Sequence, residues 1–207
     1  MNIYFVRHGE STENALQIYN WMNSPLTDLG IKQSQKVAER FKDIKIDVIY
    51  HSDMVRAKMT ANEINKLQNA ELIESHLIRE QLPPSELLGL NENDQKSKDV
   101  MKLLQQNEHN QDYRYSDEEN FEDFKTRVFK FFKELENLNL DNIMVIGHGY
   151  VLRTLIGYIL YGDNFNSHDF VNLKRSLKTI NTGVTVCDVN NKKWTLVTWN
   201  DYSHLLQ

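Results

Sequence analysis

The chain has 207 residues, 40% hydrophobic and 26% charged, enough for one globular domain with a full core over 1–207. Its net charge of −5 excludes nucleic acid as a general partner, so an anionic ligand has to be met by local positive charge. A single cysteine, Cys187, excludes a disulfide framework and a Cys-based metal cluster.

No leader-like segment precedes the first apolar run, and no run approaches the ~20 residues of a membrane span. The sequence therefore reads as a soluble cytoplasmic protein with no membrane partner, and it carries no signal for oligomeric state. A first strand is expected at 2–6, through Ile3-Tyr4-Phe5-Val6, and it runs directly into Arg7-His8-Gly9-Glu10-Ser11. Thr27 or Asp28 is placed to cap a helix with Ser34, Val37, Ala38 and Phe41 on one face. A second strand, 46–50, leads into Tyr50-His51-Ser52-Asp53-Met54-Val55-Arg56-Ala57. That puts Arg56 at the opening of a helix whose buried side is Ala57, Ala61, Ile64 and Leu67. A third strand follows at 71–74.

The stretch 81–120 opens with Pro83-Pro84 and is polar, with one short helix expected near 95–106. It reads as an insertion over the C-terminal edge of the sheet, either a lid over a site or a solvated excursion. The strongest helical pattern lies near 118–138, where Phe121, Phe124, Val128, Phe131, Leu135 and Leu138 step by three and four as a core stripe. A fourth strand, 142–147, delivers Gly147-His148-Gly149. The helix behind it carries Val151, Leu152, Leu155, Ile156 and Ile159 inward. Strands at 183–188 and 193–199 close the chain, with Cys187 a small apolar strand residue. This alternation predicts an α/β fold, a three-layer α/β/α sandwich on a mostly parallel sheet of about six strands.

Polar residues just past the ends of neighbouring parallel strands converge in one crevice. Two histidines delivered that way, each followed by glycine, His8 beside Arg7 and His148 beside Gly149, describe a site for an anion that reacts. Arg56 at a helix start supplies a bidentate fork beside free N–H groups. Asn14, six residues after His8, has an amide to donate. His76, His109 and His168 sit in polar stretches and are expected to be exposed. Tyr113, Arg114 and Tyr115 face either substrate or solvent.

These blocks together resemble the histidine phosphatase (phosphoglycerate mutase-like) superfamily, in its intracellular branch. Phe5-Val6-Arg7-His8-Gly9-Glu10-Ser11 with Asn14 resembles the opening motif, and Pro25-Leu26-Thr27 with Gly30 the next block. Ser52, Arg56-Ala57 and Thr60-Ala61 resemble the second arginine motif, Ile78-Arg79-Glu80 the block ending in the family acid, and Gly147-His148-Gly149 the second histidine motif. Asn200-Asp201-Tyr202-Ser203-His204-Leu205 resembles the usual ending, where His204 is expected to be structural.

The resemblance implies that His8 is the nucleophile, forming a phosphohistidine, with Arg7, Arg56 and His148 neutralising the phosphoryl oxygens. It implies that Glu80, with Glu86 as a nearby competitor, is the proton donor to the leaving alkoxide. Asn14 and backbone near Gly149 complete the cradle. No metal and no cofactor is required. The implied activity is a histidine acid-type phosphomonoesterase acting on a small phosphorylated metabolite. A phosphoglycerate mutase using the same phosphohistidine is the first alternative, and a non-catalytic phosphate-ligand sensor the second.

Three departures from the family pattern fall around the substrate mouth. Tyr19-Asn20 stands where relatives often have Gln-Gly, so Tyr19 narrows or re-polarises the entrance. Gln81-Leu82-Pro83-Pro84 after Glu80 matches neither the phosphatase nor the mutase continuation, and Glu118-Glu119-Asn120 replaces Gly-Glu-Ser. His51, where a serine is common, is expected near the pocket wall.

Overall fold

The strand with the most continuous apolar run, Asn142–Gly147, sits in the middle of the molecule, as a strand covered on both faces must. A computed structural model describes residues 1–19 and 22–206; Asn20 of the Tyr19-Asn20 departure lies outside the described residues. In chain order the elements are β1 (Asn2–Arg7), α1 (Thr12–Leu16), α2 (Asp28–Phe41), β2 (Val48–Ser52), α3 (Val55–Gln68), β3 (Glu71–Ser75) and α4 (Gln95–Gln106). They continue with α5 (Phe121–Leu135), β4 (Asn142–Gly147), α6 (Gly149–Tyr161), α7 (Ser167–Ser176), β5 (Val184–Asn190) and β6 (Lys193–Asp201).

The six strands form one sheet in the order β3-β2-β4-β1-β5-β6. The first four run parallel, while β1–β5 and β5–β6 pair antiparallel. Side-chain alternation divides the core in two. Ile143 and Val145 of β4 join Ile3 and Phe5 of β1 against α5 and α6, while Met144 and Ile146 join Val6 and Ile49 against α2 and α3. The expected α/β/α layering follows. Phe124, Val128, Phe131 and Phe132 anchor α5 under the sheet with almost no exposure, each worth roughly 1.5–3 kcal/mol of burial. Thr27, not Asp28, is the N-cap of α2, its hydroxyl accepting the Gly30 N–H at 3.0 Å.

Some boundaries differ from the sequence reading. The second strand lies at Val48–Ser52 rather than 46–50, because Asp47 turns its carboxylate onto the N–H groups of Asp141 and Asn142 and pairing starts only after it. Leu67 is exposed, not inward. The buried line of α3 continues through Gln68, whose amide accepts from the Ile46 N–H and donates to the Phe41 carbonyl. Leu138 lies past the end of α5, partly buried against the core. The sequence reading had no helix at α7 and none at α1. Among the described residues no helix is long and apolar enough to cross a membrane.

Candidate active site

β1 and β4 are neighbours in register, Arg7 opposite Gly147, so their next residues, His8 and His148, emerge side by side. The His8 N–H donates to the Gly147 carbonyl at 3.0 Å and locks the two strand ends together. The imidazole centroids are 5.0 Å apart and both rings are buried. The loop after His8 is held by a close backbone crossing. A Cβ on Gly9 would stand 2.5 Å from the Gly30 carbonyl oxygen, and one on Gly30 would stand 2.0 Å from that of Glu10. Only glycine allows this approach.

His8 Nδ1 lies 2.7 Å from the Gly9 carbonyl, an acceptor, which assigns the proton to Nδ1 and the lone pair to Nε2. Arg56 Nε donates to that Nε2 at 3.2 Å, and its Nη1 pairs with Glu13 at 3.3 Å. Arg56 is the second residue of α3, and Thr60 one turn later accepts the Gly9 N–H at 3.0 Å. Arg7 Nη1 donates to the Thr179 carbonyl at 2.7 Å, while its buried Nε has no partner. Neither ring nitrogen of His148 has a partner, although the residue is fully buried. A buried polar group left this way is a strong pointer to a ligand.

Burial holds His8 well below the usual histidine range, with Arg56 and Arg7 adding repulsion; burial, Arg56, His8 and Arg7 do the same for His148. Both rings are therefore neutral near pH 7, as an imidazole nucleophile must be. Glu80 is shifted the other way. Burial raises its carboxyl above the ordinary value, against the opposing Tyr150 N–H, Arg56, Gln81 N–H and Arg7. Glu80 Oε2 accepts the Tyr150 N–H at 3.2 Å, so the acid is pinned to the first turn of α6, two residues from His148. A carboxyl inclined to keep its proton beside neutral imidazoles and two guanidinium groups is an acid–base pairing poised for group transfer to nitrogen.

The structure brings Arg7, His8, Arg56, Glu80 and His148 together. Asn14 stands at the mouth, its Oδ1 accepting from Ser11 N–H and from Asn181 Nδ2, and that same Asn181 group donates to the His8 carbonyl. Gly149 opens α6, where a Cβ would come 3.1 Å from Thr179 Oγ1. Tyr19 and Glu80 both line a cavity of about 480 Å³ beside the site, as do Gln81 to Pro84, parts of α4 and Tyr113. The 81–120 stretch thus borders the site. Arg114 instead pairs with Asp123, and Tyr115 is an exposed neighbour of Glu86. Glu86 is exposed and pairs with Lys96 at 2.8 Å.

His51 does not lie on the cavity wall. It is buried in β2 with Nδ1 against the Ser52 carbonyl, because the strand runs two residues further than expected. His204 is structural, lodged between Arg40 and Thr182 and shifted down to about 4 by burial. His76, His109 and His168 are exposed, the last two stacked at 4.2 Å. Cys187 is buried and its thiol is pushed up to about 12, which leaves it inert. No group of three or more metal-ligating side chains occurs among the described residues.

Sequence reasoning missed Glu13, Arg153, Thr179 and Asn181. Arg153 had a signal, since it lies one helical turn after Gly149 on the same face. Its Nη1 donates to the Gly149 carbonyl at 3.0 Å and its charge reaches Glu80 and Arg7.

A profile of the histidine phosphatase superfamily (branch 1) matches residues 3–202. A metal-independent phosphoserine phosphatase of Arabidopsis thaliana is 29% identical over 98% of this chain and 82% of its own length. A 2,3-bisphosphoglycerate-dependent phosphoglycerate mutase of Methanococcus vannielii is 38% identical, but over 28% of this chain and 26% of its own. The crystal structure of the alpha-ribazole phosphatase from Shigella flexneri has the same fold, with a TM-score of 0.83, 22% identity, and coverage of 98% of this chain and 97% of that one. The chain belongs to the histidine phosphatase superfamily, branch 1.

Proposed function

We propose that the protein is a metal-independent, histidine acid-type phosphomonoesterase that hydrolyses a small phosphorylated metabolite through a phosphohistidine on His8. The observation that carries this reading is the His8 tautomer, with Nδ1 committed to the Gly9 carbonyl and the Nε2 lone pair turned toward Arg56. Nε2 attacks phosphorus in line and the bond to the ester oxygen breaks. Glu80 gives its proton to the departing alkoxide, then takes one from the water that attacks the phosphohistidine, and the P–N electron pair returns to His8. Arg7, Arg56 and His148 hold the phosphoryl oxygens, with Asn14 and the Gly149 backbone completing the cradle. They supply the charge stabilisation that dominates phosphoryl transfer, a task a metal performs elsewhere. The 81–120 insertion frames the leaving group.

His8→Ala is expected to abolish phosphate release from p-nitrophenyl phosphate while the far-UV spectrum and cooperative unfolding remain. Quenching the wild type in alkaline denaturant during turnover should leave phosphate on His8 that survives in alkali and is released by acid. Turnover retained in His8→Ala overturns the mechanism. The mutase reading is favoured by the local match to the M. vannielii enzyme. It prevails if 3-phosphoglycerate interconverts with its 2-isomer faster than phosphate is released. Tight binding of phosphate esters without any turnover would identify a sensor.

A further inference from the structure

The phosphoryl site is one end of a larger space. Glu13, Glu80 and Tyr150 belong both to the site and to the wall of the 480 Å³ cavity beside it. What anchors a ligand at the inner end is independent of the cavity wall: His148, fully buried, with both ring nitrogens unpartnered. The leaving alcohol of a phosphate bound there has to extend into the cavity.

That cavity is built for one kind of group. Its apolar walls come from Tyr113, Phe121, Tyr150, Phe170, Met101 and Leu104. Its acids are Glu13, Glu80, Glu92, Glu108, Glu118 and Glu119, against one lining cation, Lys174. Lys174 is committed to Glu108 at 2.5 Å, and Arg175 takes the other oxygen of that carboxylate. Arg127 holds Glu119 through two bonds, at 2.7 and 2.6 Å. Glu118 is buried, its carboxylate accepting N–H groups of Tyr115 and Ser116 and the Ser116 hydroxyl, while Arg114, outside the lining, donates to its backbone carbonyl at 2.7 Å; Glu92 is exposed at the rim. Negative charge at Glu92 and Glu118 is thus left without a cationic side chain among the lining residues. Burial, with Glu92 and Glu13 adding to it, pushes the Tyr19 phenol up.

We propose that the alcohol released at this site carries an ammonium or similar hydrogen-bond-donor head on an apolar or aromatic frame, and no second anionic group. The inference rests on the phosphomonoesterase reading and narrows its substrate class. A carboxylate or second phosphate would meet no lining cation free of a carboxylate partner and would enter against two carboxylates. A cation gains both from those carboxylates and from the aromatic lining of Tyr113 and Phe170, while Arg153 already lies over the Tyr150 ring at 5.8 Å.

Three phenyl phosphates separate the terms, with para substituents 2-aminoethyl, ethyl and 2-carboxyethyl, whose leaving phenols are close in acidity. The expected kcat/KM order is ammonium, neutral, carboxylate, with the extremes at least about tenfold apart at low salt. Glu92→Lys, at an exposed position, should narrow that ratio at least about threefold. Equal turnover of the three, or a preference for the carboxylate member, overturns the inference and leaves the phosphatase standing. If neither the series nor p-nitrophenyl phosphate is hydrolysed, the phosphatase reading fails. The order in which the three esters raise Tm then decides the cavity separately: ammonium highest sustains the inference, and any other order refutes it.

Discussion

Glu80→Gln isolates the proton transfer from everything else in the site. Glutamine keeps the size of the side chain and an oxygen for the Tyr150 N–H, now 3.2 Å from Glu80 Oε2, gives up the bond from the Gln81 N–H to Oε1, and has no proton to give or take. On the proposed mechanism the reactive form needs His8 neutral and Glu80 protonated, and the site shifts one down and the other up, which widens the pH range in which both hold. Losing a general acid costs about 10²–10⁴ in rate, or roughly 3–5 kcal/mol of barrier, when the leaving alkoxide is strongly basic. An alkyl phosphate such as phosphoethanolamine should lose that much. p-Nitrophenolate needs no proton to leave, so phosphorylation of His8 should continue from p-nitrophenyl phosphate while water attack stalls. Rapid mixing should then show a burst of nitrophenol stoichiometric with enzyme, followed by a slow steady state.

The pH profile supplies a second readout. On the proposed mechanism the alkaline limb in the wild type should be Glu80 losing its proton; it should flatten in Glu80→Gln, while the acidic limb from His8 remains. Stability should move as well. A carboxyl whose folded pKa is raised stabilises the fold fully below its unfolded value and loses that contribution as pH rises through the folded value. The variant has no such loss, so its Tm should gain on the wild type from pH 4 to 8. Equal losses on alkyl and aryl esters with no burst, or an alkaline limb that survives, would refute the assignment of Glu80 as the proton donor.

Two further outcomes follow from the frame of the site. His8, His148 and His204 are all held below the free histidine value by burial, so the unfolded chain binds more protons below about pH 6.5. Their contribution is complete above that pH and is lost on acidification; the urea midpoint should fall from pH 7 to 5, less steeply in His148→Gln, and a midpoint that does not move would contradict their neutral burial. Gly30→Ala places a Cβ 2.0 Å from the Glu10 carbonyl oxygen and should cost about 1–3 kcal/mol or more with a drop in kcat, whereas Leu67→Lys on the exposed side of α3 should stay within about 0.5 kcal/mol in denaturant titration.

The fold and the inner site were legible for the same reason: both are written locally. β1 and β4 are apolar runs that stop at a histidine, and Arg56 follows a strand at a helix start, so strand ends and helix starts could be read without knowing what neighbours what. Glu80 was legible only through the family resemblance, because an acid in a polar loop has no local signature. Arg153, Thr179 and Asn181 could not be read, since their contacts to Gly149, Arg7 and His8 join segments far apart in sequence. Helix α7 has only Ser167, Phe170 and Val171 buried, too few for a clear period over ten residues. On α3, Leu67 and Gln68 competed for the inward position, and Gln68 won by satisfying two backbone groups that leucine cannot. Hydrophobicity alone chose the wrong one.

The two histidines look equivalent in sequence, yet their surroundings make them unlike. His8 has both nitrogens engaged, Nδ1 by the Gly9 carbonyl and Nε2 by Arg56 Nε–H, whereas His148 has neither. A lone pair held by a guanidinium is a poor nucleophile until something else takes that N–H. A phosphoryl group, charged and able to take two parallel N–H bonds from a guanidinium on two of its oxygens, is a stronger acceptor than a neutral imidazole nitrogen. On the proposed reading its arrival turns Arg56 Nε from His8 to the substrate, frees the Nε2 electrons beside phosphorus, and gives His148 the partner it lacks. Glu13 on Arg56 Nη1 limits that turn to a small one. On that reading the nucleophile is released by the group it attacks, and water, a weaker acceptor than a phosphoryl dianion, does not release it as well.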